Sequence, residues 1–64
     1  MEVELRLKAT EYAILYDERI EEICFYIHEN CVVISGLDKN EKVISQFEVE
    51  RSEFVKLTNL VNKL

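Results

Sequence analysis

The sequence predicts an α+β fold: a small antiparallel sheet of about four strands, in β-α-β-β-β-α order, packed by a C-terminal amphipathic helix. Three observations carry this expectation. Val43-Ile44-Ser45-Gln46-Phe47-Glu48-Val49 alternates like a strand, and Ser52-Glu53-Phe54-Val55-Lys56-Leu57 then switches to helical spacing, a change of period from 2 to 3.6. At the other end, Val3, Leu5, Leu7 and Ala9 alternate with Glu2, Glu4, Arg6 and Lys8, the pattern of a half-buried strand. Between them, one glycine and no proline leave few interruptions. All 64 residues, 1–64, read as a single domain, in a size range where one core is marginal and oligomerisation often helps.

The first strand covers about residues 2 to 8, its apolar side facing a core and its charges decorating the wet side. Residues 10 to 30 read two ways. As helix, Tyr12, Tyr16, Ile20, Ile23 and Ile27 share a stripe opposite most of the acids, with Thr10 at the cap position. As strand, Ile23-Cys24-Phe25-Tyr26-Ile27-His28 is rich in β-branched and aromatic residues. The segment is best divided, with helix from about Thr10 to Ile20 and strand from about Glu22 to His28.

Glu29-Asn30 then forms a two-residue turn, with Asn30 suited to a positive φ. That register sets Ile27 opposite Val32 and Phe25 opposite Ile34, and keeps the large aliphatics on one face. Cys31 to Ser35 is the next strand, Asp38-Lys39-Asn40-Glu41 a four-residue connection, and Lys42 to Val49 the return strand, which sets Phe47 opposite Val32. Gly36 stands just before the connection, where a bulge or a close backbone approach is its expected reason. Ser52 is placed to cap the last helix, whose Phe54, Leu57, Leu60, Val61 and Leu64 form a stripe roughly 120° wide expected to lie across the sheet.

Composition limits the function classes. The net charge of -5, from 13 acidic and 8 basic residues, argues against a broad phosphate-binding surface. There is no apolar run of membrane-spanning length and no signal-like start, so no membrane association is expected and the chain reads as cytoplasmic. A single histidine, with no Gly-rich phosphate loop, His-Glu-x-x-His spacing or nucleophile elbow, argues against an enzyme, and no cofactor is expected.

Cys24, His28 and Cys31 are the residues that invite a chemical reading. In the hairpin His28 lies across from Cys31, but Cys24 stands about 13 Å up the strand from His28 at about 3.3 Å per residue. In a helix, Cys24 and Cys31 would be about 10.5 Å apart along the axis, beyond the reach of a disulfide, whose Cα atoms lie within about 7 Å. Both readings predict two free thiols; the hairpin register rules out three ligands on one ion, so no metal is expected, the alternative being a zinc shared between two chains through His28 and Cys31. Tyr12, Tyr16 and Tyr26 are the interaction candidates, because a ring with a polar tip suits the rim of a core or a subunit interface. Their neighbours Glu11, Asp17, Glu18, Glu21 and Glu22 are acidic, so a nucleic-acid stacking platform is not favoured.

Two stretches resemble known families. Phe47 to Leu57, Phe47-Glu48-Val49-Glu50-Arg51-Ser52-Glu53-Phe54-Val55-Lys56-Leu57, looks like the last strand and helix of the whirly-type transcription coactivator domain, a dimeric single-strand-DNA binder. That resemblance implies DNA contacts on the early strands, where this chain carries Arg6, Lys8 and Arg19. Phe25 to Phe54 is similar to the hairpin of half a sliding-clamp domain, and the acidity fits that family or an acidic nucleic-acid mimic. The reading that best fits the whole chain is a small acidic intracellular interaction or regulatory protein. It would act as a homo-oligomer, preferably a homodimer, and bind another macromolecule. Its size and style suit a phage, viral or mobile-element product. A single-stranded-DNA-binding coactivator-like domain is the alternative.

Overall fold

The computed structural model describes residues 3–10 and 17–64. Among these residues are four strands and one helix: β1 (Val3–Lys8), β2 (Glu22–Ile27), β3 (Cys31–Leu37), β4 (Val43–Glu50) and α1 (Arg51–Lys63). The strands form one antiparallel sheet in the order β1-β2-β3-β4, each beside its neighbour in sequence. The expected sheet and following helix are therefore present. Of the helix expected over Thr10 to Ile20, residues 11–16 lie outside the described residues. Asp17 to Ile20 form a turn, closed by the Ile20 N–H donating to the Asp17 carbonyl at 3.2 Å, and so do not continue a helix.

The β2–β3 hairpin has the expected register. Ile27 pairs with Val32 and Phe25 with Ile34, while the His28 N–H donates to the Cys31 carbonyl at 2.8 Å across the Glu29-Asn30 turn. Asn30 does not take a positive φ; among the described residues that conformation belongs to Glu41, at 64°.

The β3–β4 register differs from expectation by two residues. Phe47 lies opposite Ile34, and Val49 opposite Val32. Two single-residue additions produce the shift. The connection is five residues long, because the Asp38 carboxylate accepts the N–H groups of both Asn40 (2.8 Å) and Lys42 (2.9 Å) and holds a wider turn. A bulge then follows: Gly36 pairs with Ser45 and Leu37 with Val43, leaving Ile44 as the extra residue. One added residue would have turned the outer half of β4 over. Two restore the parity, so Phe47 and Val49 still share a face with Ile34 and Val32.

Burial follows position in the sheet more than face. Among the described residues the buried ones are Cys24, Val32, Ser35, Gly36 and Leu37, all on the two central strands and divided between both faces, whereas every residue of β1 is exposed. The face expected to be wet thus holds Cys24 and Ser35. Ser35 accepts a hydrogen bond from Gln46 Nε2 at 3.0 Å, and the Cys24 thiol donates to Glu4 Oε1 at 3.3 Å.

The helix begins at Arg51, two residues before the start that a Ser52 cap implies, and Ser52 does not cap it. Glu50 occupies the cap position with no side-chain cap hydrogen bond. The Arg51 N–H instead donates to the Asn30 carbonyl at 3.0 Å, and its guanidinium reaches the His28 carbonyl at 3.2 Å. The β2–β3 turn thereby supplies the acceptors that a capping side chain would otherwise provide. The expected lie of the whole apolar stripe across the sheet is also corrected. Phe54 is half-buried against Phe25, with ring centroids 5.7 Å apart. Beyond it Leu57, Leu60 and Val61 are 54%, 57% and 58% exposed, and no helix residue is buried.

Candidate interaction surfaces

Two apolar surfaces and one polar cluster stand out. The first surface lies along α1. Its N-terminal turn closes a cleft of about 190 Å³ lined by Phe25, Ile34, Val49, Glu53, Phe54 and Leu57. A first-turn residue such as Phe54 reaches the sheet because β4 runs into the helix without a loop. Leu57, at the rim of this cleft, and Leu60 and Val61 beyond it remain more than half exposed. Phe47, 59% exposed, adds to the uncovered apolar area on β4.

The second surface is the edge strand β1, where Val3, Leu5 and Leu7 are 46%, 49% and 47% exposed. Their face is set by pairing with Ile27, Phe25 and Ile23. They extend the apolar face of β2 outward with nothing beyond them among the described residues.

The molecule is correspondingly flat, 30 × 27 × 15 Å, with a radius of gyration of 12.5 Å. A compact chain of this length would have a radius of about 10.7 Å. Its 5371 Å² of accessible surface exceeds the ~4,300 Å² expected for a folded monomer of this mass. The difference, about 1,100 Å², is comparable to the ~800 Å² that each partner contributes to a standard protein interface.

The polar cluster lies on the other face of the sheet. Arg6 bonds Glu4 through Nε at 2.9 Å and also pairs with Glu41 from the β3–β4 connection. The Arg6 guanidinium, and next the Cys24 thiol, hold the Glu4 carboxyl below its ordinary range, while Glu41 and Glu4 keep Arg6 firmly protonated. Tyr26 is half-buried beside them, opposite Glu4. Its hydroxyl is pushed above its ordinary value, first by the hydrogen bond with Cys24, then by that group's charge, burial and Glu4. Of the three interaction candidates, Tyr26 is the one placed here. Tyr12 and Tyr16 lie outside the described residues.

Both cysteines are free. Cys24 pairs with Arg6 and Ser35 in the sheet, and Cys31 with Glu50. Burial, followed by the Glu48 carboxylate, pushes the Cys31 thiol up and disfavours its thiolate. Among the described residues no three His, Cys, Asp or Glu side chains come together as metal ligands, and no helix is long and apolar enough to cross a membrane.

The turn before β2 carries a testable electrostatic signature. Asp17 accepts hydrogen bonds from the Arg19 N–H (3.0 Å), Nε (3.0 Å) and guanidinium NH2 (2.7 Å), which lower its pKa from the ordinary 3.8 to about 2. A depressed carboxylate contributes stability above its unfolded pKa and loses it as pH falls through its folded pKa. The turn should therefore stay intact through pH 3.8 and open toward about 2. The Arg19 amide followed by NMR should titrate with a midpoint near 2, and a midpoint near 3.8 would show the pairing absent in solution.

None of the protein-family models, curated proteins or solved structures compared with this chain matches it. Sequence reasoning placed Val3, Leu5 and Leu7 in the core; they stand instead on an open edge. The signal for this was the size of the chain, since a four-stranded sheet needs more than one helix to cover it.

Proposed function

We propose that this chain is a small acidic intracellular interaction protein that works as a homo-oligomer, with the dimer as its basic unit, and binds another macromolecule through its uncovered apolar surface. The observation that carries this reading is the exposure of Leu57, Leu60 and Val61 on the helix together with Val3, Leu5 and Leu7 on the sheet edge. Exposed apolar patches usually mark interaction sites. The basic side chains offer less to a nucleic-acid backbone. Arg6, Arg19 and Lys56 each bond acids of their own chain, through Glu4 and Glu41, Asp17, and Glu53 respectively. This favours a protein partner over a single-stranded nucleic acid.

Light scattering at micromolar concentration should report a mass of at least twice 7.6 kDa. A Leu60→Glu/Val61→Glu variant should keep the parent's circular dichroism spectrum and lose the binding partners that the parent retains. A monomer that persists to millimolar concentration, or unchanged partners after the substitutions, would overturn the reading.

A further inference from the structure

We propose that the free edge of β1 pairs antiparallel with β1 of a second copy about a two-fold axis at Leu5, joining two four-stranded sheets into one of eight strands. The proposal rests on the homo-oligomer reading above and specifies its interface. The backbone supplies the first argument. The Ala9 N–H donates to the Glu21 carbonyl at 3.0 Å, continuing the β1–β2 register in which Leu7 faces Ile23 and Leu5 faces Phe25. Antiparallel ladders alternate residue by residue between bonded and non-bonded pairs. The odd residues of β1 therefore turn their backbone groups toward β2, and Glu4, Arg6 and Lys8 turn theirs toward the open edge. Pairing with a second copy would satisfy those groups: the Glu4 N–H donates to the carbonyl of the partner's Arg6, and the Arg6 N–H to the carbonyl of the partner's Glu4.

The side chains select this register. With the axis at Leu5, Leu5 meets the partner's Leu5, Val3 meets the partner's Leu7, and Glu4 meets the partner's Arg6, so apolar groups oppose apolar groups and acid opposes base. A slip that centres the pair on Glu4 brings two acids together, and one centred on Arg6 brings two bases together. A parallel pair in register repeats both conflicts. A slip by one residue sets the apolar face of one strand against the charged face of the other. A charged edge strand ordinarily discourages edge-to-edge association; here the order of the charges permits one self-pairing and opposes its neighbours. A two-fold contact of this kind is self-complementary and closes at the dimer.

Cysteine cross-linking tests the register. In a Cys31→Ser background, which removes the more accessible native thiol, Leu5→Cys places two thiols opposite each other in a non-bonded pair, with Cα atoms about 4.5 Å apart. Oxidised glutathione should convert it to a covalent dimer on a non-reducing gel, while the Cys31→Ser parent stays monomeric there. Val3→Cys alone and Leu7→Cys alone should not link to themselves, because each lies about 13 Å along the ladder from its own copy. A mixture of the two should link. If the unmodified chain is a dimer by light scattering but position 5 fails to link, or position 3 links to itself, the edge pairing is wrong and the homo-oligomer reading stands. A chain monomeric to millimolar concentration overturns both.

Discussion

Leu37→Ala should destabilise the fold by about 2 to 5 kcal/mol, the range for removing a fully buried leucine. Leu37 is 2% exposed and ends β3, where its carbonyl accepts the Glu21 N–H at 2.8 Å and the bulge to β4 begins. The substitution leaves this backbone hydrogen bond in place and removes most of a fully buried side chain at the end of β3. A chain of this size is expected at the low end of the usual 5 to 15 kcal/mol of total stability, so a large fraction of the variant should be unfolded at 37 °C. Urea denaturation followed by circular dichroism measures the loss. A change below about 0.5 kcal/mol, the level typical of surface positions, would mean that this corner is not packed as described.

Gly36→Ala should cost about 1 to 3 kcal/mol through overpacking. A Cβ there would lie 2.9 Å from Ser45 Oγ and 3.2 and 3.3 Å from two side-chain carbons of Ile20. Gly36 has no positive φ, so space and not backbone freedom accounts for the glycine. Ser45→Gly in the same chain should recover part of the loss by removing the nearest atom, while the Ile20 contact keeps the rest. Thermal melts of the single and double variants report the difference. An alanine tolerated at no cost would show that Ile20 does not pack over this point of the sheet.

The elements were legible in the sequence where a local rule had one solution. The alternation in Val3–Lys8 and the Glu29-Asn30 turn each specify a strand or a hairpin with few competitors, and the β2–β3 register followed from them. The β3–β4 register did not, because the Asp38 carboxylate can organise four or five residues equally well from sequence alone, and a bulge leaves only a lone glycine as its trace. The start of α1 was read from Ser52, yet the carbonyls that receive Arg51 come from a turn more than twenty residues away. Sequence periodicity finds an apolar stripe but not what covers it. Leu57 and Leu60 fit the helical pattern as well as Phe54 does, yet Phe54 is half-buried and they are exposed. The exposed apolar surfaces were hidden for the same reason, since the pattern that marks a core-facing residue is the same whether or not another element covers it.

The nearest-neighbour strand order has a kinetic consequence. Three residues, His28 to Asn30, join β2 to β3, and five, Asp38 to Lys42, join β3 to β4, whereas thirteen, Ala9 to Glu21, separate β1 from β2. Closing a longer loop costs more chain entropy for the same kind of pairing. The meander from Glu22 to Glu50 should therefore assemble first and β1 should dock onto it last. In the native state the order reverses, and β1 should be the first strand to open. Amide exchange is expected to be slowest in β3 and fastest in β1. With no proline in the chain, refolding should proceed without the slow phase of tens of seconds that prolyl isomerisation imposes.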